Sequence, residues 1–176
     1  MKVELHFEEN LSRKDLPLRA SEIAMAAKLF SRRMRLEPEW LECRELLGGH
    51  PKSSTALFCD DLVMRDYQKR YRKLDRTTDV LSFPAREAGP LPPGADDGAR
   101  SIGDLVVSLE AIKRAAKRVR RPAREELLEV LIHGWLHLLG HDHIGSSARA
   151  VARARRMRAL QRELLKSALK ELKASR

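Results

Sequence analysis

Cysteine, long apolar runs and aromatic residues are all scarce in this chain of 176 residues. The only cysteines are Cys43 and Cys59, too few for the disulfide framework of a small secreted domain, so both are expected as reduced thiols. No apolar run approaches the ~20 residues a bilayer-crossing helix requires, and no membrane association is expected. Met1 to Glu8 alternates polar and apolar residues as a strand does, unlike an apolar leader. The cytosol is the expected compartment. Aromatic residues make up 5% of the chain, as four Phe, two Trp and two Tyr. There is no internal repeat, and no nucleotide cofactor is expected. The length suits a single domain spanning 1–176 with one core.

What the chain does contain is a run of histidine. Residues 133–143 read His-Gly-Trp-Leu-His-Leu-Leu-Gly-His-Asp-His, placing His133, His137 and His143 in the pattern H-x-x-x-H-x-x-G-x-x-H. Residues four apart share a helix face, so His133 and His137 can converge on one ion. Gly140 can end the helix in a left-handed turn and bring His143 back as a third ligand. Three imidazoles leave a position for water, which separates a catalytic zinc from a closed structural one. A single Zn2+ ion is the expected cofactor, although nickel or copper would also suit imidazoles. A buried helix with incidental histidines is the plain alternative. Against it, four of the chain's six histidines lie in this stretch. His141 is a candidate fourth ligand or supporting donor, but as Gly140's neighbour in the turn it is expected to be exposed. In H-E-x-x-H proteases a glutamate follows the first histidine as general base; here Gly134 stands there, which disfavours peptide hydrolysis.

Formal net charge is +10, concentrated in three clusters. The segment from Arg149 onward holds ten Lys or Arg against Glu163 and Glu171. A second cluster comprises Lys113, Arg114, Lys117, Arg118, Arg120, Arg121 and Arg124; the third comprises Arg65, Lys69, Arg70, Arg72, Lys73 and Arg76. Each alone could be a solvated helix surface. Beside a metal motif, they point to a polyanion such as RNA.

Periodicity predicts a compact α+β order. Strands are expected over 2–8, 55–59, 78–83 (stopped by Pro84) and 102–107. Helices are expected over 20–34, over a segment capped by Asp60 or Asp61 that carries Met64, Tyr67 and Tyr71, and over 109–118. Pro122 suits the first turn of a metal helix that is apolar nearly all round through Leu139, and therefore central. Residues 86–100 read as a loop. A last helix over about 147–172 presents Met157, Leu160, Leu164, Leu165, Ala168 and Leu172 to the core.

Residues 71–84 read Tyr-Arg-Lys-Leu-Asp-Arg-Thr-Thr-Asp-Val-Leu-Ser-Phe-Pro, and Ile102-Gly-Asp-Leu-Val-Val-Ser follows. Together with the histidine run, this order of blocks resembles the YbeY family of bacterial metal-dependent endoribonucleases of ribosomal RNA maturation. The resemblance runs from about Thr55 to about Leu165, with Met157 and Glu163 at positions marked in the family's last helix. His141 departs from the family's usual tyrosine, and Tyr67-Gln68 stands where Leu-Asn is common. The stretch Glu37 to Ser54 is longer than expected, and its structure is left open.

The resemblance implies a small sheet of about four strands with helices around a central metal-binding helix. It also implies catalytic roles for Arg72 and His133, metal ligation by His133, His137 and His143, and cleavage of single-stranded ribosomal RNA segments in small-subunit maturation and quality control. Partners would be RNA and the ribosome or small-subunit assembly proteins. Asp79 and Ser82 lie in the matched strand, where Asp79 can serve as an anchor, and Asp142 can orient a histidine or cap the turn. With so few aromatics, base stacking is expected to contribute little. Two other readings stand beside this one: a zincin-type metallopeptidase, and a non-catalytic ribosome-assembly factor with a structural metal.

Overall fold

In the computed structural model the described residues are 1–88, 100–141 and 147–174. Their elements are β1 (Lys2–Phe7), α1 (Ala20–Met34), α2 (Pro38–Leu46), β2 (Ser53–Cys59), α3 (Asp61–Tyr67), β3 (Val80–Pro84), β4 (Ser101–Ser108), α4 (Leu109–Arg118), α5 (Ala123–Leu138) and α6 (Ala148–Ala174). The four strands form one mixed sheet in the order β1-β2-β4-β3. β1, β2 and β4 run parallel, and β3 is an antiparallel edge strand on β4. The fold is α+β with four strands, as the spacing of elements predicts.

Strand alternation divides the apolar residues between two faces. Val3, Leu5, Phe7, Ala56, Phe58, Leu105 and Val107 join the main core with α1, α5 and α6. Cys59, Leu81 and Val106 face the other side, where α3 covers part of the sheet with Met64. α5 packs against α1, α4, α6, β3 and β4. That central position requires an apolar surface all round, and Leu127, Leu128, Leu131, Trp135 and Leu136 are fully buried. The Trp135 ring meets Phe30 of α1 at a centroid distance of 5.5 Å.

The expectations for Pro84, His141 and Leu165 are corrected, and the open stretch acquires a structure. Pro84 ends β3 from inside it, because the last position of an edge strand tolerates the missing N–H. The open stretch 37–54 contains α2, which starts with Pro38 in its first turn and buries Trp40, Cys43 and Leu47 in the main core. His141 is buried, not exposed. In α6 the buried stripe is Ala150, Ala154, Met157, Leu160, Leu164, Ala168 and Leu172, while Leu165 is half-buried beside it.

Candidate active site

α5 sets His133 and His137 one turn apart, and their Nε2 atoms lie 3.2 Å from each other. The rings are nearly perpendicular, at 83°. Two nitrogens bound to one tetrahedral ion at ordinary Zn–N distances are separated by about 3.3 Å, so this pair fits a shared metal. His133 Nδ1 lies 2.9 Å from Gln161 Oε1 of α6. Gln161 Nε2 donates to Glu129 Oε1 at 2.9 Å, and Arg121 pairs with the same carboxylate. This chain sets the amide so that its carbonyl accepts from His133 Nδ1–H. The Nε2 lone pair is then directed at the partner imidazole and the cavity, as metal-binding histidines require. No motif marks Gln161; only Glu129, one turn before His133, was open to periodicity.

The glycine between the two histidines has a packing cause. A Cβ at Gly134 would lie 2.8 Å from Leu105 Cδ2, so a side chain here would have to displace the buried Leu105 side chain of β4. Ser82 Oγ also donates to Gly134 O at 3.4 Å, tying β3 to the same point. Position 134 faces Leu105 of the sheet, and a carboxylate there would have to push that buried side chain aside.

The histidines open into a cavity of about 530 Å³ lined also by Arg72, Asp79, Ser82 and Arg86. Arg72 arrives by an unusual route. α3, capped by Asp60 through its bond from Val63 N, continues into a π-helical turn over Gln68–Arg72 that ends with Lys73 left-handed at φ 59°. Single π turns re-aim side chains at functional sites, and here Arg72 Nη2 reaches Ser82 O at 3.4 Å across β3. Asp79 accepts from Val80 N at 2.9 Å and Thr78 Oγ1 at 3.2 Å. It therefore anchors the start of β3.

The sequence places Arg86 in a loop. It lies in a short 3-10 turn, Ala85–Ala88, with its guanidinium against Gly140, where a Cβ would come within 1.7 Å of Nη1. Gly140 has φ 94°, the left-handed turn expected at the end of the metal helix. His143 and Asp142 lie outside the described residues.

His141 borders the same cavity as the two histidines, and its Nε2 lies 3.6 Å from Glu39 Oε2 of α2. Burial, ahead of the opposing pull of Glu39, holds its pKa below the ordinary imidazole value. Arg156 of α6 pairs with both Glu37 and Glu39, so α2, α6 and the turn after α5 share one polar network. The basic clusters are partly neutralised as well. Arg65 and Lys69 pair with Asp75, and Arg70 with Asp66.

A family model described as Endoribonuclease YbeY matches residues 26–169. The chain is 46% identical over 106 residues to Endoribonuclease YbeY of Myxococcus xanthus, covering 60% of this chain and 33% of that protein. It is 38% identical over 120 residues to that of a Chelativorans species, covering 68% of each. For the Sinorhizobium fredii relative the figures are 36% over 115 residues, with 61% of that protein spanned. The chain thus spans from one third to about two thirds of the length of these relatives. The solution structure of TM1509 from Thermotoga maritima shares the fold, with a TM-score of 0.50 at 21% identity over 98% of this chain and 93% of that one.

Proposed function

The chain belongs to the YbeY endoribonuclease family, whose model spans residues 26–169, and on that premise we propose that it is a metal-dependent endoribonuclease acting on single-stranded segments of ribosomal RNA. Its place would be the maturation and quality control of the small ribosomal subunit, in the cytoplasm, in contact with the ribosome or its assembly proteins. Among the described residues no helix is long and apolar enough to cross a membrane.

The observation that carries this reading is the convergence of His133 and His137, with Nε2 atoms 3.2 Å apart, in one cavity with Arg72. His133, His137 and His143 would hold one zinc ion. When bound, that ion would supply Lewis acidity toward a phosphoryl oxygen or an attacking water. The remaining work belongs to the chain. Gln161 holds the His133 ring and tautomer through Nδ1. Arg72, exposed and, among the described residues, anchored to a backbone carbonyl, can shift to grip a phosphate in a bidentate manner and stabilise charge that develops there in the transition state. No carboxylate occupies the general-base position of zinc peptidases, where Gly134 stands against Leu105; this argues against the metallopeptidase reading.

The test pairs metal analysis with cleavage of single-stranded RNA. His137→Ala should lose both bound zinc and cleavage, whereas Arg72→Ala should retain zinc and lower kcat at saturating RNA. A zinc-free His137→Ala that cleaves at the wild-type rate would exclude metal catalysis. Weaker binding alone in Arg72→Ala would assign that residue to the basic surface.

A further inference from the structure

Both tyrosines of the chain lie at one exposed spot, on the far side of β3 from the histidines. The Tyr71 ring is 59% exposed. It stacks on Tyr67 at 5.8 Å and 23°, and meets Phe83 edge-on at 5.0 Å and 74°. Beneath them, where α3 leaves the sheet uncovered, a groove of about 570 Å³ is bordered by His6, Thr55 and Asp104. His6 and Asp104 are exposed. An exposed ring held by two others has already lost its rotamer freedom, so stacking a further flat ring on it costs little more order. The polar groups at the groove wall can hydrogen-bond the edge of such a ring.

The place of this platform relative to Arg72 identifies its occupant. Tyr71 and Arg72 are successive residues of the π turn, and Phe83 and Ser82 are successive residues of β3. In each pair one side chain lines the aromatic groove and the other lines the histidine cavity. Only the edge strand separates the two. In the segment that follows Tyr71, Arg72, Lys73 and Arg76 have no carboxylate partner among the described residues, in contrast to Arg65, Lys69 and Arg70. Flat aromatic surface beside unpaired cations is the composition of a single-strand nucleic-acid site. We propose that this groove is a base-binding subsite: an unpaired nucleobase stacks on Tyr71 while a neighbouring phosphate of the same RNA strand lies at Arg72. Scarce aromatic content thus does not exclude stacking, because three of the eight aromatics, Tyr67, Tyr71 and Phe83, meet at this edge of the sheet. The inference deepens the endoribonuclease reading and rests on it.

Stacking is tested with short oligouridine RNAs carrying one 2-aminopurine, whose fluorescence is quenched when it stacks, read on rapid mixing with the full-length protein before cleavage. Tyr71→Phe should quench and bind as wild type does. Tyr71→Leu keeps apolar bulk but removes the π face; it should lose the quench at every probe position and bind about tenfold more weakly, in the range of one lost base stack. Both variants should keep the wild-type zinc content; Tyr71→Phe should also keep the melting temperature, and Tyr71→Leu should lower it slightly through the lost ring contacts with Tyr67 and Phe83. Equal quenching and affinity in Tyr71→Leu would overturn the subsite while leaving cleavage, and the reading built on it, intact. A wild-type protein that quenches through Tyr71 but never cleaves would instead remove the endonuclease reading and retain the subsite.

Discussion

At the scale of single residues, the unassuming Gln161 decides how His133 presents itself. Gln161→Leu preserves bulk but removes the acceptor for Nδ1–H. Its zinc affinity should fall by roughly 10- to 100-fold, the usual effect of losing a hydrogen bond behind a metal-binding histidine. Competition with a zinc chelator measures this, and unchanged affinity would reduce Gln161 to packing. The thiols make the opposite case. Burial pushes Cys43 up to about 11 and Cys59 up to about 12, so both are protonated and shielded at neutral pH. Neither should react with an aromatic disulfide reagent until the protein is unfolded; rapid native reaction of either would show that the core around it opens.

At the scale of elements, α2 is the segment whose length the family pattern did not anticipate. It is held by Trp40 beneath and by carboxylates at its start. Glu37 accepts from Arg33 at 2.6 Å and pairs with Arg156. The Arg33 hydrogen bond, outweighing partial burial and assisted by Arg156, holds the Glu37 pKa below its ordinary value. A carboxylate with a depressed folded-state pKa contributes stability that is complete above its unfolded pKa and is lost as pH falls through the folded one. Unfolding free energy should therefore decline in acid, below about pH 4.5. Glu37→Gln should be less stable at neutral pH and show a shallower acid decline. Urea unfolding at several pH values decides this, and parallel wild-type and variant profiles would contradict it. The element also shows why sequence left it open: Pro38 and Trp40 are clear marks individually, but within α2 only Trp40 and Cys43 are buried, too sparse an apolar face to show a helical period.

At the scale of the whole molecule, the charge excess is unevenly available. On α6, Arg149, Arg153 and Lys170 are exposed and have no carboxylate partner among the described residues. Arg156 is committed to Glu37 and Glu39. Neutralising the first three should weaken RNA binding for many sequences alike and reduce the slope of log affinity against log salt by roughly one unit per lost phosphate contact, with little change in stability. Arg156→Gln should act mainly on stability. Salt titrations and thermal melts separate the two, and an unaltered slope in the triple variant would make α6 a solvated face.

Much of what depends on neighbours along the chain was legible in the sequence, α2 and the turn at Arg86 excepted. The four-residue spacing of His133 and His137 follows from helix geometry, the turn at Gly140 from its freedom at positive φ, and the α+β order with four strands from periodicity. Arg72 was legible through the Tyr-Arg block, which names the residue without giving its direction. The tertiary structure alone decided the rest. Gln161 lies 2.9 Å from His133 because α6 packs on α5. Gly134 lacks a side chain because Leu105 of β4 lies against it. His141 is buried because α2 covers the turn, and Tyr71 and Arg72 part company at the edge of β3. Each of these depends on contacts between segments distant in the chain. No local period encodes such contacts, because they come from burying several amphipathic faces in one core.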